Sequence, residues 1–183
     1  MRLFIAIELP VHYKKALGEL RTAIPGARWV ATEQIHLTLA FLGEVDEDTA
    51  GILTAGLAQI QANAFELSLT GTGCFPNRQR PRVVWIGVKP EPGLTSLATM
   101  VRETVLACGI PLEERPFSPH LTLARLKIPA ARELGVFLDQ QRQVDLKPFP
   151  VTEFTLFQSR LTPQGATHIP VKIFPLAKHD LIK

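Results

Sequence analysis

The chain has 183 residues, 46% of them hydrophobic and 20% charged, with a formal net charge of +3. That length fits one domain, or one domain built from two similar halves, and the composition excludes general disorder. No apolar run reaches the about eighteen residues that a membrane helix needs, and Cys74 and Cys108, the two cysteines, make no disulfide framework.

The opening "RLFIAIEL" alternates Leu3, Ile5, Ile7 and Leu9 on one side and is predicted as a strand. Its apolar stretch is too short for a signal peptide and carries no small-residue cleavage site, so the expected compartment is the cytoplasm. Pro10 opens a helix carrying Val11, Leu17, Leu20 and Ile24, at a first-turn position where its missing N–H costs little. The strand "IHLTLAFLG" follows, and Asp46 is placed to N-cap a helix through Ile52, Leu53, Leu57 and Ile60. "FELSL" reads as a half-buried strand, and "VVWIGV", after a loop rich in Gly, Pro, Asn and Arg, as a more buried one. Leu94, Leu97, Val101, Val105 and Cys108 then step at helical spacing, with Cys108 read as a small buried thiol. The strand "PHLTLARLK", a helix near 130–140 and strands near 150–158 and 168–174 complete the order.

The pentapeptide His-Leu-Thr-Leu-Ala thus occurs twice, 84 residues apart, from His36 and from His120. The same offset carries Leu17 to Val101, Phe65 to Phe149 and Trp85 to Ile169, so the repeat spans the halves. The fold class is α/β (α+β): a bilobal, duplicated αβαββ fold with two mainly antiparallel sheets around a central cleft, the leading strand added to one lobe. Only a short "VKPEPG" turn separates the halves, so residues 1–183 are expected to share one core.

Residues two apart on a strand point to one face, so His36 projects with Thr38 and His120 with Thr122, while Leu37, Leu39, Leu121 and Leu123 face a core. Two such pairs across a cleft suit a tetrahedral phosphate. The hydroxyls donate to its non-bridging oxygens, and one neutral and one protonated imidazole serve as general base and acid. Histidine holds both forms near neutrality because its ordinary pKa is about 6.5. Any single His-x-Thr in an apolar strand is most often a structural histidine, and a duplicated fold can keep both copies for packing. Retention of the same residue at both His positions favours chemistry. A zinc site needs three or four ligands at short spacing, and neither strand offers His-x-His or a neighbouring carboxylate, so a metal-dependent hydrolase ranks well below phosphate chemistry. A module that holds RNA ends without hydrolysing them is the other alternative, and Arg or Lys would serve that better than two histidines.

Two His-x-Thr-x tetrads, each ending on an apolar residue, resemble the 2H phosphoesterase superfamily. "RLFIAIELP", "HLTLAFLGEV", "RVVWIGV", "RPFSPHLTLAR" and "VTEFTLFQSRL" narrow the resemblance to the RNA 2′,3′-cyclic phosphodiesterases, formerly called 2′-5′ RNA ligases, across essentially the whole chain. The resemblance implies metal-free hydrolysis of a 2′,3′-cyclic phosphate RNA end to a 2′-phosphomonoester, with 2′-5′ ligation in some members and no cofactor. It makes His36 the general acid and His120 the general base, with Thr38 and Thr122 holding the phosphate and Arg125 a third phosphate contact. The partners it implies are RNA ends bearing the cyclic phosphate, or cyclic nucleotides, met by a monomer away from any membrane. The family often has a tyrosine where "GATHIPV" puts His168, so ring stacking is not carried over to that position.

Phe41 and Arg125 hold equivalent places, five residues after their histidines. Strict alternation would drive the arginine into a core at high cost, so its strand is expected to end or bulge first. A matching bend in the other copy would bring Phe41 to the opposite side of the cleft as a base-stacking platform. The loop "PNRQRPR" supplies Arg78, Arg80 and Arg82, of which at least one is expected on the RNA backbone; a merely solvated loop is nearly as well supported.

Overall fold

The computed structural model describes residues 1–128, 130–162 and 165–178. The elements run β1 (Arg2–Glu8), α1 (Val11–Gly18), β2 (Ala27–Trp29), a short 3₁₀ turn (Thr32–Gln34), β3 (His36–Glu44), α2 (Glu47–Leu57), β4 (Phe65–Leu67), β5 (Leu69–Phe75) and β6 (Val83–Val88). They continue with α3 (Pro92–Ala107), β7 (His120–Leu126), α4 (Ala131–Gln140), β8 (Phe149–Val151), β9 (Glu153–Thr162) and β10 (Gly165–Pro175).

Local chemistry sets the helix starts. Pro10 stands at the cap of α1. Asp46 caps α2 as its sequence predicts, its carboxylate accepting from the Thr49 backbone N–H and hydroxyl, both at 2.8 Å. Pro92 opens α3, where Glu91 accepts from the Gly93 N–H. Leu17, Leu53, Leu57, Leu97, Val101, Val105, Leu134 and Leu138 pack from these helices into one core with Ile5, Ile7, Leu37, Val84, Ile86 and Leu121 of the sheet. Burying Leu-sized side chains contributes about 1.5–3 kcal/mol each. The opposite sheet face is left for other work, apart from a small cluster of Phe4, Ala6 and Phe157.

The main sheet has the order β10-β9-β1-β3-β7-β6-β5, with β2 also paired to β7, and β4 with β8 forms a separate ribbon. Every named pair is antiparallel. The two sheets expected from the sequence are therefore half-sheets that touch at one rung, Leu37 opposite Leu121. β1 lies between β3 and β9, and β6 lies between β7 and β5. The leading strand is thus the counterpart of β6, and β2 and β10 are strands without one. Each half-sheet also takes strands from the other repeat, β9 and β10 on one side and β2 and β5 on the other, which is why the halves share one core.

Several elements differ from the sequence reading. "FELSL" is broken at Ser68 into β4 and the start of β5, and "TGTGCF", expected as loop, continues β5 as strand. β2 and the 3₁₀ turn are additions to the predicted order. Val11 and Ile52 lie on exposed helix faces, 68% and 63% accessible, and α2 stops before Ile60. Among the described residues, no helix is long and apolar enough to cross a membrane.

Candidate active site

The sequence places one His and one Thr on each of β3 and β7, and the Leu37–Leu121 rung fixes how they meet. Antiparallel pairing around it sets His36 across from Thr122 and Thr38 across from His120, all four on the face away from the helices. Leu37, Leu121 and Leu123, pointing the other way, are almost fully buried, while the four polar side chains are partly exposed. Each imidazole is anchored alike. His36 Nδ1 lies 2.7 Å from the Gln34 carbonyl oxygen and His120 Nδ1 lies 2.7 Å from that of Ser118. A carbonyl only accepts, so Nδ1 carries the proton and donates, leaving each Nε2 free to take or give one.

Both strands bulge where the sequence reading of Arg125 requires it. β6 pairs Trp85 with Thr122 but Val84 with Ala124, skipping Leu123; β1 pairs Ala6 with Thr38 but Ile5 with Ala40, skipping Leu39. One extra residue in a strand reverses the facing of everything beyond it. Ala40 and Ala124 turn into the core, and Phe41 and Arg125 return to the tetrad face, opposite Phe4 and Val83. Both are exposed, Phe41 at 66%. Among the described residues Arg125 has no ion-pair partner.

The surroundings of the two histidines differ. The His36 ring centroid is 5.0 Å from Phe4 and 5.1 Å from His168, which meets it edge-on. His168 also lies 4.8 Å from Phe4, so the position to which no ring stacking is carried over does make ring contacts. The Gln34 side-chain amide donates to the Ala166 carbonyl, tying the entry of β3 to β10. Beneath them, Glu8 is opposite His36 across the β1–β3 pair, and its carboxylate receives the buried Lys14 ammonium at 2.6 Å. Lys14 also donates to the Glu33 carbonyl at 2.8 Å. Burial foremost, with the nearby positive charges of His168 and Lys14, pushes the His36 pKa down to about 4, against the opposing hydrogen bond to Gln34. Burial also lowers that of His168, which Glu8 raises and Lys14 lowers.

His120 stands on an aromatic shelf, 5.0 Å from Phe75 and 6.5 Å from Trp85. Gly73 makes room for it, because a Cβ there would fall 2.2 Å from the Trp85 ring. Sequence reasoning named His168 without giving it a role and missed Glu8, Lys14, Phe75 and Trp85. The signal for Glu8 was present: with Leu3, Ile5 and Ile7 inward, the alternating positions Phe4, Ala6 and Glu8 must line the other face. The basic loop is more occupied than the sequence suggests. Arg78 pairs with Asp139 of α4 at 3.2 Å, and Arg82 donates to the Lys127 carbonyl at 3.1 Å. Among the described residues no three His, Cys, Asp or Glu side chains gather as a metal-binding group.

The LigT-like phosphoesterase pattern matches the chain twice, over residues 7–85 and 86–168. The RNA 2′,3′-cyclic phosphodiesterase of Archaeoglobus fulgidus is 36% identical over 181 residues, which cover 95% of this chain and 99% of that protein. The crystal structure of TT0787 from Thermus thermophilus superposes with a TM-score of 0.80 at 34% identity, covering 98% of this chain and all of that one. The Escherichia coli LigT structure with 3′-AMP gives 0.78 at 34% identity, over 96% and 97% of the two chains.

Proposed function

The chain belongs to the LigT-like phosphoesterase family, and we propose that it is an RNA 2′,3′-cyclic phosphodiesterase acting through His36 and His120. The observation that carries this reading is the crossed quartet, in which the Leu37–Leu121 rung sets each His position across the seam from a Thr position and each Nδ1 is committed to a carbonyl. The relatives that cover nearly the whole chain are RNA 2′,3′-cyclic phosphodiesterases.

In the proposed reaction His120 takes a proton from water as its oxygen attacks phosphorus. The bond from phosphorus to the 3′ oxygen breaks, His36 protonates that oxygen, and a 2′-phosphomonoester remains. Thr38 and Thr122 donate to the non-bridging oxygens, and Arg125 adds charged hydrogen bonds. With its pKa near 4, His36 is neutral in the empty site. The phosphate's negative charge favours the imidazolium, so the acid form is acquired with the substrate. Phe41, beside Phe4 at 6.1 Å, offers an exposed ring to a base. We take residues 1–183 as one catalytic unit, a monomer acting on RNA ends in the cytoplasm.

The test is incubation with a 2′,3′-cyclic-phosphate-ended oligonucleotide in excess EDTA, with the position of the product phosphate read out. Full hydrolysis to the 2′-phosphate is expected, and His36→Ala or His120→Ala should each lose about 10²–10⁴-fold in rate while staying folded. Activity abolished by EDTA and restored by zinc or manganese, or near-normal turnover in either variant, would reject the reading.

A further inference from the structure

β2 has a placement that the hydrolytic chemistry leaves unused. It pairs with β7 along the edge that β3 also touches: Ala27, Arg28 and Trp29 lie opposite Leu126, Arg125 and Ala124, and Leu37 opposite Leu121. β2 and β3 are therefore two segments of one edge, parted by the 3₁₀ turn. Directly opposed residues in an antiparallel pair share a face, so Arg28 stands beside Arg125 on the tetrad face. The bulge at Leu123 makes the next rung after Trp85–Thr122 the row Val83–Arg125–Arg28. That is two residues on, or about 6.6 Å at about 3.3 Å per residue.

The strands of the half-sheet, β2, β5, β6 and β7, carry no Asp or Glu, which leaves its charge basic. Both arginines are solvent-exposed, within side-chain reach of the phosphate-binding threonine row. One rung is a distance that an extended sugar–phosphate chain covers in one nucleotide, and Arg is suited to bidentate phosphate contact.

We propose that Arg28, with Arg125, forms a second phosphate subsite that takes the internucleotide phosphate on the 5′ side of the cyclic end. The preferred substrate is then an oligonucleotide rather than a free cyclic nucleotide. This rests on the phosphodiesterase reading above and specifies its substrate class.

The test compares a 2′,3′-cyclic mononucleotide, a dinucleotide with the same cyclic end, and that dinucleotide with an uncharged methylphosphonate linkage. Wild-type kcat/KM should be about ten-fold higher on the charged dinucleotide than on the methylphosphonate. Arg28→Gln should lower the dinucleotide value about ten-fold more than the mononucleotide value. It should also abolish the discrimination between linkages and make the salt dependence of dinucleotide KM shallower by about 0.7 in log–log slope. Equal losses on mononucleotide and dinucleotide, or discrimination that survives in Arg28→Gln, would overturn the subsite. If that variant did not fold, a wild-type enzyme indifferent to the methylphosphonate would overturn it alone. Absence of hydrolysis on all three substrates would instead remove the phosphodiesterase reading.

Discussion

The desolvation of His36 makes stability depend on pH, and His36→Gln tests that dependence. Burial, with His168 and Lys14 nearby, holds the folded-state pKa at about 4, against about 6.5 in the unfolded chain. Between these values the unfolded chain binds more protons than the folded one, so stability falls as pH drops through this window and is unaffected above it. The linkage relation gives a loss of about 2 kcal/mol by pH 5 and about 3 kcal/mol by pH 4. Urea unfolding of wild type and His36→Gln at about pH 7.5, 6, 5 and 4.5, points that span this window, should therefore show the wild type losing stability faster. Asp46 and Asp139, also depressed, titrate in both proteins and cancel in the difference. The NMR titration of His36 should show a midpoint well below the ordinary value of about 6.5 that rises when a 2′-nucleotide is added. Parallel stability curves, or a free-enzyme midpoint at that ordinary value, would refute both the desolvated ring and the account of how it gains its proton.

Arg125→Ala should lower turnover on every cyclic phosphate regardless of length, checked by kcat on a mononucleotide. Phe41→Ala should act on KM and leave the melting temperature nearly unchanged, because the ring is 66% exposed; a matching loss of kcat would place it elsewhere. Leu121→Ala, at the seam rung and fully buried, should cost roughly 2–5 kcal/mol by chemical denaturation, with activity falling only as folding does. Asp46→Ala should remove both contacts to Thr49 and cost about 1 kcal/mol, with kcat/KM unchanged.

What was legible in the sequence was what periodicity and capping encode. The inward Leu3, Ile5 and Ile7, the stripe on α3 and the Asp46 cap all follow from local chemistry, and the structure keeps them. β5 was hidden because Gly71 and Gly73 replace the apolar alternation. Added Cβ atoms there would strike the Arg142 carbonyl and the Trp85 ring, so the constraint lies in tertiary packing. Val11 and Ile52 fit the helical pattern but face solvent, since a single apolar residue on an exposed face costs little. The exchange of β5 and β9 between half-sheets involves pairings of high sequence separation, which no local window can report. Lys14 gives no sign of burial either, because its partners, Glu8 and the Glu33 carbonyl, come from other elements.

The bulges show how a sequence can foretell a tertiary feature when one alternative is too costly. An arginine five residues after His120 can stay on a regular strand only by entering the helix-facing core, where an unpaired guanidinium is not tolerated. Slipping the register at Leu123 turns Ala124 inward instead, and alanine fills that space without a polar group. The first copy has no charge to force the slip, since Phe41 would be at home in a core. It slips at the matching residue, Leu39, all the same, with Ala40 turned inward. The bulge on β3 therefore cannot be explained by the residue it exposes, and its equivalence to that on β7 points to the shared backbone of the repeat. On that backbone the two exposed positions were free to diverge, one to a cation and one to a ring, while the His and Thr positions two rungs and one rung back stayed the same.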